Sequence, residues 1–151
     1  MVQIHLLVGS TLGAAEYLAD HLAERLNEAG HPTRIHNPAS LAGLGDTAGH
    51  LLLAVTSTHG AGEIPDNLKP FAQELAQQQP NLGHSLYAVV ALGDSNYDTF
   101  CAAGHQMQAL LEGCGAQPVG APCLIDVTAQ DLPEDAADIW LETWLPLLAQ
   151  A

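Results

Sequence analysis

The chain has 151 residues, 48% of them hydrophobic, which suffices for one core but is short for two ordinary domains. Its formal charge of −14 would repel nucleic acid and anionic lipid, and no apolar run approaches the roughly 20 residues of a membrane span. The three cysteines contain no CxxC pair, which argues against a disulfide framework or a zinc site. We therefore expect one domain over residues 1–151.

The acidity is compatible with two interpretations. A basic protein partner would complement it, and acidity that only serves solubility would explain the same composition. The amino terminus lacks a positively charged region before its first apolar run, so it does not resemble a signal peptide. We accordingly expect a monomeric cytoplasmic protein.

Strands and amphipathic helices alternate along the first half of the chain. Residues 2–8 predict a strand, and Thr33 to His36 predict a short second one. The Pro/Gly-rich stretch 37–49 predicts a loop with at most one helical turn. The helix between the two strands is predicted to end with Gly30 as its C-cap. Its core-facing stripe comprises Ala15, Leu18, Leu22, Leu26 and Ala29.

The second half continues the alternation. Residues 50–56 and 86–92 are apolar enough for central parallel strands, and a fifth strand within 117–126 is predicted at the sheet edge because prolines interrupt it. Three more helices are predicted: one started by Pro65-Asp66-Asn67, one reaching Gly115, and one after Asp131, the expected N-cap. Their predicted core stripes are Leu68, Phe71, Ala72, Leu75 and Ala76; Ala103, Met107, Leu110, Leu111 and Cys114; and Ile139, Trp140, Trp144 and Leu148. This pattern predicts a doubly wound parallel α/β sheet.

In such a sheet, ligands bind beyond the carboxyl ends of the strands. Three loops there are rich in small or polar residues: GSTLGAAE after the first strand, STHGAGEIPDN after the third and LGDSNYDTFCAAG after the fourth. The first joins a buried strand to a helix N-terminus, which is a common anion site, but it matches neither the Walker pattern nor GxGxxG. Taken alone, each of the three loops is only a weak indication of a ligand site.

Together, and each after the expected strand, these motifs resemble the phosphate loop and two ring-binding loops of the flavodoxin family. They are also similar to the FMN domains of sulfite and cytochrome P450 reductases. The resemblance covers nearly the whole chain and implies a five-stranded sheet in the order 2-1-3-4-5 with one non-covalently bound FMN.

The resemblance also implies roles for individual positions in the first loop. Backbone amides and hydroxyls there would hold the FMN phosphate, and the implied residues are Ser10, Thr11, Leu12, Gly13, Ala14 and Ala15. Relatives usually have threonine in place of Leu12 and Ala14, so two hydroxyl contacts would be missing and FMN would be bound less tightly.

The other two loops would enclose the flavin ring. By resemblance, Tyr97 stacks on one face, His59 contacts the other face, and the peptide of Gly60 rotates to accept a hydrogen bond from the ring when the first electron arrives. Cys101 is interpreted as a packing residue near the ring and not as a nucleophile. The other seven histidines are expected to be structural or solvated. The remaining implied ring contacts are Ser57, Thr58, Ala61, Gly62, Leu92, Gly93, Asp94, Asn96, Asp98 and Phe100.

The resemblance implies an electron carrier and not an enzyme. It would take electrons from a basic NADPH-dependent reductase and pass them to an acceptor enzyme, with biotin synthase as one candidate. Two alternatives stay open: an FMN-dependent quinone or nitro-group reductase, whose members are usually longer, and a domain detached from a diflavin reductase. A phosphorylated receiver domain is excluded because Gly9-Ser10 and Thr58-His59 replace its acidic residues and the carboxyl half has no lysine.

Overall fold

Strands and helices alternate along the chain in the computed structural model, which describes residues 1–129 and 132–151. The strands are β1 (Ile4–Gly9), β2 (Thr33–His36), β3 (Leu51–Thr56), β4 (Leu86–Gly93), β5 (Gln117–Pro118) and β6 (Cys123–Asp126). The helices are α1 (Ala14–Glu28), α2 (Leu41–Leu44), α3 (Lys69–Gln78), α4 (Ala102–Gly113) and α5 (Pro133–Gln150). The short α2 is the helical turn expected within 37–49. Among the described residues, no helix is long and apolar enough to cross a membrane.

The strands form one parallel sheet in the order β2-β1-β3-β4-β5, and β6 also pairs with β4. Gly9 pairs with Thr56, and Thr56 with Ala91, so β1, β3 and β4 are in register at their carboxyl ends. The loops that follow these three strands therefore start side by side. This confirms the doubly wound sheet and the strand order predicted from the sequence.

Side chains along each strand point alternately to the two faces of the sheet, so a separate hydrophobic core forms on each face. Ile4, Leu6 and Val8 of β1 pack on the face that α1 and α5 cover, whereas Leu7 faces the side covered by α3 and α4. All six residues of β1 and of β3 are buried, which explains their near-continuous apolar sequences. The two cores hold the strand ends in a fixed relation to one another.

The predicted fifth strand is divided into two short ones. Gln117–Pro118 pairs with the start of β4, and Cys123–Asp126 pairs with its end. Gly120, with φ of +70°, lies between them in a segment that leaves the strand conformation. The interruption predicted from the prolines is confirmed, and β6 brings Asp126 level with Gly93 at the carboxyl edge.

Several predicted helix details are wrong. Ala29 and Ala76 are exposed, because α1 ends at Glu28 and Ala76 lines an open groove between α3 and α4. Gly30 follows the C-cap residue Ala29, and its φ of +91° turns the chain out of the helix. Helix α3 begins at Lys69, after the predicted start at Pro65-Asp66-Asn67, and has a proline in its first turn.

The last helix corrects another expectation. Ile139 is 63% exposed, so it does not belong to the core face; Ala137, Leu141, Trp144 and Leu148 do. These buried positions follow the three- and four-residue spacing of one helical face, which Ile139 does not. The predicted N-cap Asp131 lies outside the described residues.

Three histidines are linked across the neighbouring strands β2, β1 and β3. Nδ1 of His5 lies 2.9 Å from Nε2 of His36, and Nε2 of His5 lies 3.0 Å from Nδ1 of His50. Burial, reinforced by His36, His50 and Arg34, lowers the pKa of His5 to about 4. Burial, with Arg34, also lowers the pKa of His36. Both ring nitrogens of His5 are engaged, so the rings form a hydrogen-bonded chain and do not converge on one point.

Candidate functional site

The loops after β1, β3 and β4 meet at one edge of the sheet, as predicted. The amide of Ser57 donates to the carbonyl of Gly9 at 2.9 Å, which joins the first two loops where their strands end. A cavity of about 260 Å³ lies between the second and third loops. Its lining residues are Thr58, Gly60, Gly93, Asp94, Tyr97 and Thr99.

A second cavity, of about 170 Å³, shares three of these lining residues and extends towards the first loop. It adds Ala14 from the start of α1 and Val127 from the segment after β6. The two spaces together connect all three loops. The structure thus brings the predicted phosphate-binding and ring-binding segments to a single location.

Besides a cavity of about 330 Å³ between α1 and α5, two larger cavities lie elsewhere. One, of about 390 Å³, lies between residues 41–48 and 78–85, where the buried hydroxyls of Thr47 and Ser85 bond to each other at 2.8 Å. The other, of about 370 Å³, is a groove between α3 and α4. The groove between α3 and α4 touches only the second of the three loops, through residues 61–64, and neither cavity lies where all three loops meet, the edge at which a sheet of this topology binds ligands. The candidate site is therefore the edge where the three loops meet.

The first loop is a cradle of backbone amides at the N-terminus of α1. Gly13, with φ of +90°, turns the chain into the helix, and its amide donates to Oγ of Ser10 at 2.8 Å. Within the described part of the chain, no hydrogen-bond acceptor is found for the amides of Thr11, Leu12, Ala14 and Ala15. Unpaired amides at a helix N-terminus favour an anion, because the helix dipole adds partial positive charge there.

Ser10 is already fixed by its neighbours. Its amide donates to Oδ1 of Asn67 at 2.8 Å, and the Nδ2 group of Asn67 donates to Oδ1 of Asn37 at 3.0 Å. The Ser10 hydroxyl accepts from Gly13 and keeps its own hydrogen free to donate. Of the six predicted phosphate-loop residues, Ser10 and Gly13 therefore shape the loop through their amides, and the other four have free amides.

The second loop folds back on itself as a tight turn over residues 59–63. The amide of His59 donates to the carbonyl of Glu63, and the amide of Glu63 donates to the carbonyl of His59, both at 2.8 Å. Nδ1 of the His59 ring lies 3.3 Å from Oγ1 of Thr11, which links this turn to the first loop. The predicted pair Gly60 and Ala61 forms the exposed tip of the turn.

Thr58 and Ser57 connect the turn to the sheet. Oγ1 of Thr58 accepts from the amide of Ala103 at 3.3 Å and so caps the N-terminal turn of α4. The hydroxyl of Ser57 lies 3.5 Å from the carbonyl of Gly9. Both residues line the smaller cavity, so their placement agrees with the predicted ring-binding segment.

The third loop begins with a close approach of two backbone segments. A Cβ atom on Gly93 would lie 2.6 Å from the amide nitrogen of Cys101, so this position requires glycine. Asp94 then accepts from the amide of Asn96 at 2.9 Å and closes a turn that presents Tyr97, which is 66% exposed. An aromatic ring that is mostly open to solvent is available to stack on a flat ligand.

The interior side of this loop is apolar. Cys101 is fully buried, its thiol points at the carbonyl of Ala91 at 3.6 Å, and burial raises its pKa to about 11. A thiol with a raised pKa is a poor nucleophile, which agrees with the interpretation of Cys101 as a packing residue. The side chain of Leu92 is likewise buried in the core, whereas Asp98 is exposed and Phe100 is half-buried.

Three residues that organise these loops were not among the predicted site residues: Asn67, Gln106 and Asp126. Asp126, at the end of β6, accepts hydrogen bonds from Ser95 and Thr128, and these bonds lower its pKa to about 2. Gln106 of α4 donates to the carbonyl of Gly62 at 2.6 Å. Of these three residues, only Asn67 lies within one of the quoted motifs. Its polar side chain in that motif could have indicated a role in the site, whereas nothing in the sequence indicated such a role for the other two.

A family model described as Flavodoxin matches residues 6–140. This chain belongs to the flavodoxin family. It is 45% identical to Protein MioC of Escherichia coli (strain K12), a match that covers 98% of this chain and 99% of MioC. It is 36% identical to Flavodoxin YqcA of the same organism, with 99% and 100% of the two chains covered.

Solved structures agree with this assignment. A cysteine-to-alanine mutant of Flavodoxin from Pseudomonas aeruginosa is similar to this chain with a TM-score of 0.90 and 35% identity, over 98% of this chain and 99% of that one. The family prediction is confirmed, and with it the predicted cofactor, because flavodoxins bind FMN and act as electron carriers.

The residues of this flavodoxin fit an FMN molecule. Four amides that have no acceptor among the described residues, together with the hydroxyls of Ser10 and Thr11, form an uncharged donor set, which suits a phosphate group at a helix N-terminus. The lining of the two cavities supplies backbone groups and one exposed aromatic ring, which suit a flat heterocycle. When bound, FMN supplies the redox chemistry, and the protein supplies binding and orientation.

Proposed function

We propose that residues 1–151 form one FMN-binding domain that takes single electrons from a basic NADPH-dependent reductase and passes them to an acceptor enzyme in the cytoplasm. The observation that carries this proposal is the meeting of the three loops at the carboxyl edge of β1, β3 and β4. We further propose that the protein works as a monomer.

The proposed contacts to the phosphate come from the first loop. The free amides of Thr11, Leu12, Ala14 and Ala15 would donate to phosphate oxygens, and the hydroxyls of Ser10 and Thr11 would add two further donors. Leu12 is 95% exposed and offers only its amide. The site therefore provides fewer hydroxyl donors than a loop with threonine in that position, and we expect correspondingly weaker binding.

The proposed contacts to the ring come from the second and third loops. Tyr97 would stack on one face, and the turn with His59 and Gly60 would lie against the ring from the opposite loop. The contacts proposed from residues 57–62 and 92–101 are Ser57, Thr58, His59, Gly60, Ala61, Gly62, Leu92, Gly93, Asp94, Asn96, Tyr97, Asp98, Phe100 and Cys101. Leu92 and Cys101 are buried, so their part would be to shape the floor beneath the ring.

The choice of partners is inferred from charge. A protein with a formal charge of −14 attracts a basic surface, and long-range attraction of this kind raises association rates at low ionic strength. A basic reductase fits this requirement. Biotin synthase is one proposed acceptor.

The first test is FMN binding by the purified apoprotein, followed by reduction in small anaerobic steps. Binding should quench flavin fluorescence, and reduction should proceed in two separate one-electron steps. Tyr97→Ala should weaken binding by roughly fivefold to 150-fold, as expected for loss of an aromatic contact of about 1–3 kcal/mol. Tyr17→Ala is the matched control, because Tyr17 is equally exposed, at 65%, but lies on α1 away from the cavities.

The outcomes separate the candidate functions. Absence of binding at micromolar FMN would sink the cofactor assignment. Direct two-electron reduction by NADPH without a reductase would instead indicate a quinone or nitro-group reductase. Reduction by NADPH through a flavodoxin reductase, at a rate that falls as salt is added, would support the proposed carrier and its basic partner.

A further inference from the structure

The turn over residues 59–63 is fixed at its base and free at its tip. Two backbone hydrogen bonds between His59 and Glu63 close the base, and the amide of Gly62 adds a third bond to the carbonyl of His59 at 3.1 Å. At the tip, Gly60 has φ of +51°, and among the described residues no atom beyond Gly60 and its two chain neighbours lies within 4 Å of where its Cβ would be. The space around Gly60 therefore allows its peptide to rotate.

The side of the turn next to α4 is held more firmly. The Nε2 group of Gln106 donates to the carbonyl of Gly62 at 2.6 Å. A Cβ on Gly62 would lie 3.0 Å from Cγ2 of Thr99, so the backbone here also packs closely against the third loop. With φ of +106°, Gly62 has a conformation that other residues rarely adopt. The Gly62 carbonyl is thus held from α4 while the backbone beside it is held by the third loop.

Rotation at Gly60 would propagate along the chain unless something stopped it. The peptide between Gly62 and Glu63 lies two peptide bonds after the one between Gly60 and Ala61, and both Gly60 and Gly62 are glycines with wide backbone freedom. A donor on the Gly62 carbonyl fixes the orientation of the later peptide. The hydrogen bond from Gln106 is the side-chain contact that does so from outside the turn.

We propose that Gln106 is a positioning residue that confines backbone rotation to the Gly60–Ala61 peptide and thereby raises the first one-electron potential of the bound flavin. The proposal rests on the proposed function and on the rotation of the Gly60 peptide towards the ring, which the family resemblance implies. Without Gln106 the turn would have more conformers, and ordering it at that step would cost more entropy. The second electron meets the same ordered turn, so its potential should not depend on Gln106.

The test compares Gln106→Ala with Gln73→Ala. Gln73 lines the groove between α3 and α4 from its other wall, and its side chain makes no hydrogen bond within the described residues, so its variant is the matched control. In the apoprotein, hydrogen exchange at the amides of Gly62 and Glu63 should be about threefold to tenfold faster in Gln106→Ala and unchanged in Gln73→Ala. This measurement needs no FMN.

In the FMN-loaded protein, the same factor of three to ten in the equilibrium constant corresponds to a fall of about 28 to 59 mV in the first midpoint potential of Gln106→Ala. The second potential should stay within error of the unsubstituted protein. Equal shifts in both potentials, or exchange rates and potentials like those of Gln73→Ala, would overturn the proposal. If the unsubstituted protein failed to bind FMN, the proposed function would fall, and the exchange rates would still decide whether Gln106 restrains the turn.

Discussion

Leu12 lies in the phosphate loop at a position where a threonine would add a hydroxyl donor and bind the FMN phosphate more tightly. Its side chain is 95% exposed, so its replacement removes no packing. We expect Leu12→Thr to lower the FMN dissociation constant by about threefold to tenfold, the usual worth of one added hydrogen bond. Titration of flavin fluorescence measures the change.

Leu12→Val is the control for that substitution, because valine has the shape of threonine without the hydroxyl. It should bind FMN as the unsubstituted protein does. Equal tightening by valine and threonine would show that backbone stiffening, and not a hydroxyl contact, is responsible.

Residues within a continuous motif were easier to predict than residues that hold a loop in place through contacts with distant parts of the chain. The three loops could be identified from GSTLGAAE, STHGAGEIPDN and LGDSNYDTFCAAG because each motif is continuous in sequence. Asn67, Gln106 and Asp126 act on partners 57, 44 and 31 residues away. Such contacts exist only after the sheet has formed, so no local pattern indicates them.

At the scale of elements, hydrophobic spacing identified the helices but not every buried face. Ile139 and Trp140 are adjacent, and adjacent helical residues point about 100° apart, so both cannot lie at the centre of one face. The structure buries Leu141 and exposes Ile139. The sequence predicts Ile139 in the core because its side chain is large and apolar. Which face of α5 is covered depends on the neighbouring helix α1 and strand β6.

This correction yields a paired prediction for α5. Leu141→Ala should lower the free energy of unfolding by about 2–5 kcal/mol, because it leaves a cavity in the core. Ile139→Ala removes a similar side chain from the surface and should change it by no more than about 0.5 kcal/mol. Urea denaturation of both variants gives the comparison, and a larger loss for Ile139→Ala would contradict the observed helix face.

At the scale of the whole molecule, the strand order followed from the alternation of elements and the family resemblance. The sequence did not show which polar side chains would become neighbours when the strands pair. His5, His36 and His50 lie in or beside three different strands, and only the pairing of β1 with β2 and β3 brings them together.

The histidine chain predicts a dependence of global stability on pH. The folded pKa of His5, about 4, lies below the ordinary value of 6.5, and that of His36 is also lowered. The unfolded chain therefore binds more protons between these values, so this contribution to stability is present above about pH 6.5 and is lost as the pH falls towards 4. NMR titration of the His5 ring should give its low pKa directly.

Unfolding measured at several pH values provides the second check on the chain. The loss of stability below pH 6.5 should be smaller in His5→Leu than in His105→Ala, which removes an exposed histidine from α4. Comparison of the two variants cancels the general effect of acid on a chain of such negative charge. Identical pH profiles would show that the buried histidines do not contribute.

The same three rings also restrict where hydrogens can be. When all are neutral, His5 carries one hydrogen, and the two bonds can form only if all three tautomers point the same way along the chain. When the hydrogen of the half-buried His50 ring sits on Nδ1, that nitrogen donates to His5. His5 would then donate to His36, whose hydrogen would have to sit on Nδ1. The tautomer of one ring thus selects the tautomer of a ring two strands away, with no movement of the backbone.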